Sequence, residues 1–110
     1  MKIGIDIQDT DRFVDLIGTK KMEKMFSLPE LEYIASKNNS LDTVAGLYCA
    51  KEAFFKALGT GIMHNQLNKV SILHDANGAP YIRSELTSKP VLLSISHTKS
   101  TAVAVCIVMG

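Results

Sequence analysis

The chain has 110 residues, a formal net charge of +1 and 46% hydrophobic residues. This length predicts a single domain, residues 1–110, that buries roughly 65% of the surface exposed by the unfolded chain. The nearly balanced charge argues against a nucleic-acid partner, because such binding relies on excess positive charge. No apolar run is long enough to cross a bilayer, so no membrane partner is expected either.

Two features predict a cytoplasmic protein. Residues 1–7 lead directly into a strand-like alternation, without the apolar stretch of a signal peptide. Cys49 and Cys106 both stand among apolar residues, which favours two buried thiols over a disulfide and fits a reducing compartment.

The first strand is predicted over residues 2–7, where apolar side chains alternate with others. One face of this strand carries Ile3, Ile5 and Ile7, and the opposite face carries Gly4 and Asp6. Asp6 is placed near the carboxyl end of the strand. On the pattern alone, Asp6 is either a functional carboxylate or the cap of a turn.

Two short helices are predicted next. The first is capped by Asp9 or Thr10 and ends at Gly18. The second begins with the capping-box pattern of residues 27–30. The residues that this second helix is expected to bury are Leu31, Ile34 and Ala35.

A longer third helix is predicted from Ser40 or Asp42 to Gly59, and it is almost entirely apolar over residues 44–50. Its last turns carry Glu52 and Lys56, which the i, i+4 spacing places on one face. Charges on a buried helix are stabilised only when they are paired, so a metal ion or a phosphate is expected beside them. The alternative is an ordinary salt bridge within the helix, worth about 0.3–0.5 kcal/mol if exposed.

The second half of the chain is predicted to consist of antiparallel strands. A surface loop over residues 62–68 is followed by a hairpin around Asn77-Gly78, a pair that is typical of two-residue turns. A second hairpin joins strands at residues 91–95 and 102–108. His64 and His74 are interpreted as ordinary surface histidines. The fold class is therefore α+β, with the N-terminal strand joining the strands of the second half.

Three blocks of sequence resemble a known family when they are taken together. They are Gly4-Ile5-Asp6-Ile7, residues 51–62 (Lys-Glu-Ala-Phe-Phe-Lys-Ala-Leu-Gly-Thr-Gly-Ile) and Ser94-Ile95-Ser96-His97-Thr98. Their order and content are similar to those of the 4′-phosphopantetheinyl transferases. The match is best to the short, single-domain type, holo-acyl-carrier-protein synthase.

This resemblance implies an activity, a fold and an assembly. The activity is Mg²⁺-dependent transfer of 4′-phosphopantetheine from coenzyme A to a serine of an apo acyl carrier protein, with release of 3′,5′-ADP, as in fatty acid biosynthesis. The fold is an antiparallel sheet packed on a long central helix. The assembly is a homotrimer with each active site at a subunit boundary.

The resemblance also assigns roles to residues. Asp6 and Glu52 correspond to the metal ligands, Lys56 to a cation on the phosphates, and Glu52, directly or through a metal-bound water, to the base that takes the serine proton. The residues that correspond to the coenzyme A site are Tyr48, Lys56, Gly59, Thr60, Gly61, Ser96, His97 and Thr98. On spacing alone, a histidine at the end of a strand is also typical of a hydrogen-bonded structural residue.

A basic cluster in the first half is the expected docking surface for the carrier protein. It consists of Arg12, Lys20, Lys21 and Lys24. Such a cluster is either an ordinary solvated face or a docking patch for an acidic partner. The resemblance favours docking, because Arg12 matches an arginine with which the family binds its carrier.

The sequence departs from the family pattern at three places. Leu47 and the pair Asn38-Asn39 stand where the family usually has cations near the adenosine end of coenzyme A, and Phe55 stands where serine is frequent. An alternative hypothesis is therefore a carrier-binding module that kept the fold but lost productive coenzyme A binding. Retention of Asp6, Glu52, Lys56 and His97 together favours the enzyme, because a binding module needs none of them.

Overall fold

The computed structural model describes residues 1–61 and 63–110. Its elements, in chain order, are β1 (Lys2–Asp9), α1 (Lys21–Met25), α2 (Leu28–Ser36), α3 (Leu41–Leu58), β2 (Ser71–His74), β3 (Pro80–Arg83), β4 (Val91–His97) and β5 (Thr101–Val108). Two 3₁₀ turns, Thr10–Phe13 and His64–Lys69, complete the fold. Ile62, the first residue of the predicted surface loop, lies outside the described residues.

The strands form two antiparallel sheets. The larger has the order β1-β5-β4, and the smaller is the β2-β3 hairpin. The predicted α+β class and both hairpins are confirmed. The loop of the first hairpin is longer than a two-residue turn, because His74 pairs with Pro80. Asp75 holds this loop, since its Oδ1 accepts hydrogen bonds of 2.9 Å from the amides of both Asn77 and Ala79.

Helix α3 packs across the larger sheet, against β1 and β5. Every residue from Val44 to Phe55 is buried, which confirms the burial expected from the apolar sequence. Ser40 precedes the helix, and Gly59 ends it with a left-handed φ of 78°. The approach to β1 is very close, because a Cβ atom at Gly4 would lie 2.0 Å from the Ala53 carbonyl oxygen.

The orientation of β1 follows from this contact. Gly4 and Asp6 face α3, whereas Ile3, Ile5 and Ile7 face outward and are 68%, 61% and 66% exposed. The strand continues to Asp9, so Asp6 lies in its middle, and the predicted position near the carboxyl end was wrong. Only glycine allows the main chain of β1 to reach the helix, which is why the less apolar face turns inward.

Four other predictions need correction. The first helix, predicted to end at Gly18, is only the 3₁₀ turn Thr10–Phe13. Ala35 is exposed, because α2 contacts the rest of the fold through Glu30 and Ile34. Residues 64–69 form a 3₁₀ turn that buries Leu67, whereas a surface loop was predicted. His74 is half-buried in β2 and stacks on Tyr33 with ring centroids 3.9 Å apart.

A buried ion pair joins α2 to α3. Lys51 Nζ lies 2.5 Å from Glu30 Oε1, and both side chains have no solvent exposure. Lys51 also donates hydrogen bonds to the carbonyl oxygens of Met25 (2.8 Å) and Leu67 (2.5 Å). The second oxygen of Glu30 accepts from the Ile72 amide at 2.9 Å. Burial raises the pKa of Glu30 and lowers that of Lys51, and the pair is maintained by this full set of hydrogen bonds.

Candidate active site

Asp6, Glu52 and Lys56 meet where β1 crosses the second half of α3. Lys56 Nζ lies 3.1 Å from Asp6 Oδ1 and also donates to the Ile5 carbonyl oxygen at 3.0 Å. Asp6 and Glu52 are 7% and 6% exposed, whereas the Lys56 side chain is 46% exposed. Among the described residues, Lys56 pairs with Asp6 and not with Glu52. The alternative of an ordinary salt bridge within the helix is therefore wrong for the described residues, and the site is built from two elements, β1 and α3.

Gln8 joins the two carboxylates. Its Nε2 donates a 2.8 Å hydrogen bond to Asp6 Oδ2 and a 3.1 Å hydrogen bond to Glu52 Oε2. Its Oε1 accepts a hydrogen bond from Arg12. The guanidinium of Arg12 lies over the rings of Phe13 and Tyr48, 5.1 and 5.3 Å from their centroids. Arg12, predicted as a carrier contact, thus also lies at the edge of the carboxylate cluster.

Sequence reasoning missed Gln8. A glutamine shows no distinctive chemistry by itself, and the predicted strand ended at Ile7, one residue before Gln8. The alternation of β1 contains the signal, because Gly4, Asp6 and Gln8 share one face of the strand.

Burial raises the pKa of Glu52 and of two neighbours, Tyr48 and Cys49. Burial raises the pKa of Glu52, and the Tyr48 hydroxyl opposes this by hydrogen bonding to the carboxylate. Burial, followed by the nearby Glu52, also raises the pKa of Tyr48 well above its usual range. Beneath the cluster, burial raises the pKa of the Cys49 thiol to about 12. Cys49 is therefore an inert buried thiol, as predicted for both free cysteines.

The geometry of the two carboxylates fits Mg²⁺. One nitrogen atom, Gln8 Nε2, lies within 2.8 and 3.1 Å of an oxygen of Asp6 and an oxygen of Glu52, so these oxygens converge on one point. Within residues 1–61 and 63–110, no group of three or more His, Cys, Asp or Glu side chains could hold a metal. Mg²⁺ commonly binds one or two carboxylates together with water and substrate phosphates. Two ligands from the protein satisfy that pattern.

His97 lies in a separate pocket at the first turn of α3. Its Nδ1 is 3.3 Å from Asp42 Oδ2, and the Ser40 hydroxyl, followed by His97, lowers the pKa of Asp42. The pocket has a volume of about 200 Å³ and is also lined by Tyr33, His74 and Leu47. Sequence reasoning did not assign Tyr33, Asp42 or His74 to a site, because nothing local indicates that they meet.

The pocket has an aromatic wall with a cation beside it. Tyr33 and His74 stack with an interplanar angle of 8°, and Lys37 Nζ lies 5.5 Å from the Tyr33 ring centroid. Burial, followed by the charge of Lys37, lowers the pKa of His74. A neutral, stacked pair of rings of this kind offers a flat surface for a heteroaromatic ligand.

The remaining predicted coenzyme A residues are dispersed. Gly59, Thr60 and Gly61 follow α3 at its carboxyl end, about 25 Å from Asp42 by the rise of an α-helix. Ser96 lies on the face of β4 opposite to His97. The Thr98 hydroxyl accepts hydrogen bonds from the amides of Ser100 and Thr101 and therefore holds the β4-β5 turn.

The structure brings together Asp6, Glu52, Lys56 and Tyr48 in one chain, and it places His97 elsewhere. Asp42, the partner of His97, precedes Glu52 by ten residues on α3, which corresponds to about 15 Å. Lys20, Lys21 and Lys24 are exposed in and just before α1. No helix in the described part of the chain combines the length and hydropathy that a membrane span requires.

Comparisons with known proteins identify the family of the chain. Residues 2–108 match the family model described as the 4′-phosphopantetheinyl transferase superfamily. The chain is 41% identical to holo-[acyl-carrier-protein] synthase of Alkaliphilus oremlandii (strain OhILAs), covering 93% of each chain. It is 39% identical to the protein of that name from Caldicellulosiruptor saccharolyticus, covering 96% of this chain and 93% of the relative.

Solved structures give the same result. A holo-(acyl-carrier-protein) synthase from Bacillus anthracis str. Ames in complex with CoA (3′,5′-ADP) is 34% identical, with a TM-score of 0.88 and coverage of 97% and 94% of the two chains. The Helicobacter pylori enzyme in complex with coenzyme A is 29% identical, with a TM-score of 0.83 and coverage of 97% and 99%. The chain therefore belongs to the holo-acyl-carrier-protein synthase family of the 4′-phosphopantetheinyl transferase superfamily.

Proposed function

We propose that this protein transfers 4′-phosphopantetheine from coenzyme A to a serine of an apo acyl carrier protein, in a Mg²⁺-dependent reaction that releases 3′,5′-ADP. The observation that carries the proposal is the convergence of Asp6 Oδ2 and Glu52 Oε2 on one point, with Lys56 3.1 Å from Asp6. Two of the similar solved proteins contain coenzyme A or its product. The two buried free thiols fit a cytoplasmic location.

Asp6, Glu52 and Lys56 have different roles in the proposed reaction. Asp6 and Glu52 would hold the Mg²⁺, which supplies positive charge for the pyrophosphate when bound. Lys56 places an ammonium group beside the same position, where negative charge grows on the leaving phosphate. The serine oxygen attacks the β-phosphorus, the bond to the 3′,5′-ADP oxygen breaks, and the serine proton is accepted by Glu52.

The test is incubation with coenzyme A, Mg²⁺ and an apo acyl carrier protein, followed by intact-mass measurement of the carrier. We expect a gain in carrier mass equal to that of phosphopantetheine. A carrier that binds the protein without any gain in mass would instead support the non-catalytic binding module.

We further propose a homotrimer with active sites shared between subunits. The outer face of the larger sheet carries Ile3, Ile5 and Ile7 together with Leu92, and all four are more than half exposed. Continuous apolar surface of this kind is typical of an interface between subunits. His97 pairs with Asp42, which lies about 15 Å along α3 from Glu52 of the same chain. This separation is long for two groups that contact one pyrophosphate. A neighbouring subunit that supplies His97 would complete the site.

We expect Ile5→Glu to dissociate the trimer, because the carboxylate would be buried without a partner at the centre of the apolar face. Light scattering coupled to size exclusion should give a monomer mass for Ile5→Glu. Val14→Glu is the matched control, since Val14 is 58% exposed but lies outside the sheet. If Ile5→Glu has the same mass as the unmodified protein, the subunits associate through another surface.

The pocket beside His97 is the proposed site for the adenosine end of coenzyme A. Tyr33 and His74 offer a stacking surface, and Leu47 occupies the wall where the family usually has a cation. We expect kcat/KM to differ by less than about tenfold between coenzyme A and its 3′-dephospho form, because an exposed ion pair contributes at most about 1 kcal/mol.

Steady-state rates with the two donors, at fixed carrier and Mg²⁺, measure this discrimination. Lys37 is the cation beside the pocket, so Lys37→Ala is measured in parallel. A difference of a hundredfold or more in the unmodified protein would contradict the expectation. If Lys37→Ala then loses this discrimination, Lys37 is the cation that binds the 3′-phosphate.

The basic cluster is the proposed docking surface for the carrier. Replacing Lys20, Lys21 and Lys24 with glutamate should weaken carrier binding at low salt and flatten its salt dependence. The affinity for coenzyme A should change little, because α1 contributes no residue to the pocket beside His97 or to the Asp6-Glu52-Lys56 cluster. Carrier affinity measured by titration calorimetry at several salt concentrations tests this. Equal carrier affinities of the unmodified and the substituted protein at low salt would show that the carrier docks on another surface.

A further inference from the structure

Gln8 holds the position between the two carboxylates by three side-chain hydrogen bonds. Its Nε2 donates to Asp6 Oδ2 and Glu52 Oε2, and its Oε1 accepts from Arg12. Arg12 is itself fixed against the rings of Phe13 and Tyr48. The amide is therefore oriented with its donor group toward the carboxylates and its oxygen away from them.

The Asp6 and Glu52 carboxylates differ in their ion pairing. Asp6 Oδ1 pairs with Lys56 Nζ at 3.1 Å, and among the described residues Lys56 does not pair with Glu52. Asp6 Oδ2 and Glu52 Oε2 meet at Gln8. Two buried carboxylate oxygens that converge in this way repel each other unless a positive charge or a donor lies between them.

We propose that the Gln8 carboxamide and a divalent cation compete for Asp6 Oδ2 and Glu52 Oε2, so that Gln8 sets the cation affinity of the site. Gln8 is a positioning residue in this role, and Arg12 holds its amide in the competing orientation. The inference rests on the proposed function, because that function assigns the cation to Asp6 and Glu52.

Competition has a defined consequence for binding. The cation replaces two hydrogen bonds to charged acceptors, and bonds of this type are among the stronger ones in proteins. Removing the amide without changing the side-chain volume should therefore strengthen cation binding. It should also lower the melting temperature in the absence of the cation, because the carboxylates then face each other without a donor.

The variant that tests this is Gln8→Met, which keeps the length of the side chain and has no donor. We expect Mg²⁺ to bind Gln8→Met about tenfold more tightly than the unmodified protein in calorimetric titrations without coenzyme A. The melting temperature of Gln8→Met should be lower without Mg²⁺ and should rise more when MgCl₂ is added. Gln66→Met is the matched control, since Gln66 lies in the 3₁₀ turn away from the site.

The outcomes separate this inference from the proposed function. Equal Mg²⁺ affinity in both proteins overturns the competition, and weaker binding by Gln8→Met would make Gln8 a ligand. Either result leaves the metal site of the proposed function intact. Absence of Mg²⁺ binding by every protein, at concentrations up to tens of millimolar, would remove the metal site as well as the competition. If Gln8→Met does not fold, Arg12→Met provides a second comparison, because it removes the hydrogen bond that orients the Gln8 amide.

Discussion

Asp6→Ala and Glu52→Ala should each lower kcat/KM for phosphopantetheine transfer by about 100-fold or more, equivalent to roughly 2.7 kcal/mol in the barrier. Each substitution removes one of the two carboxylates that converge at Gln8. A single remaining carboxylate binds Mg²⁺ weakly, so excess Mg²⁺ should rescue the activity only in part. The rate is measured as the mass gain of an apo carrier protein over time.

The fold should survive both substitutions. Removing Asp6 leaves Lys56 unpaired, but the Lys56 side chain is 46% exposed and water can solvate it. Circular dichroism and the melting temperature provide the control, and Asp6→Asn and Glu52→Gln keep the shape of the side chains. Transfer at the unmodified rate by either alanine variant would show that the metal-site assignment is wrong.

Lys51→Met should reduce the free energy of unfolding by about 3–5 kcal/mol, which is the usual effect of breaking a buried ion pair. Glu30 would keep its position, without exposure to solvent, but lose the cation 2.5 Å away. Burial already raises the pKa of Glu30, and removing Lys51 would raise it further. Denaturant unfolding at neutral pH measures the change.

Lys56→Met is the matched comparison, because Lys56 lies on the same helix and pairs with a carboxylate but remains half exposed. We expect Lys56→Met to change the free energy of unfolding by no more than about 1 kcal/mol. The double variant Lys51→Met, Glu30→Leu should recover part of the loss, since two apolar side chains replace the pair. Equal effects of Lys51→Met and Lys56→Met would contradict the structural role of Lys51.

The sequence predicted the elements better than their orientation. The apolar length of α3, both hairpins and the burial of the two cysteines follow from local patterns and are confirmed. The face that β1 presents to α3 was not predictable from apolarity, because the exposed isoleucines have the stronger pattern. Gly4 decides the orientation through a main-chain contact, and such a contact depends on the tertiary structure.

The charges on α3 illustrate the same limit. The sequence identified Glu52 and Lys56 as a pair on a buried face, yet Lys51 is the fully buried lysine and Lys56 reaches Asp6. Which face of an almost uniformly apolar helix meets which neighbour depends on its crossing angle, and the sequence does not encode this locally. For the same reason, His97 and Asp42 could not be paired in advance.

The contact at Gly4 also determines how the carboxylates respond to change elsewhere. Asp6 and Glu52 project from β1 and α3 close to the point where the two main chains touch, with a Cβ at Gly4 overlapping the Ala53 carbonyl. No side chain separates the two backbones there, so no rotamer change can widen the gap. Substitutions that repack the interior during evolution should therefore lower or raise the melting temperature before they change the distance between the Asp6 and Glu52 carboxylates.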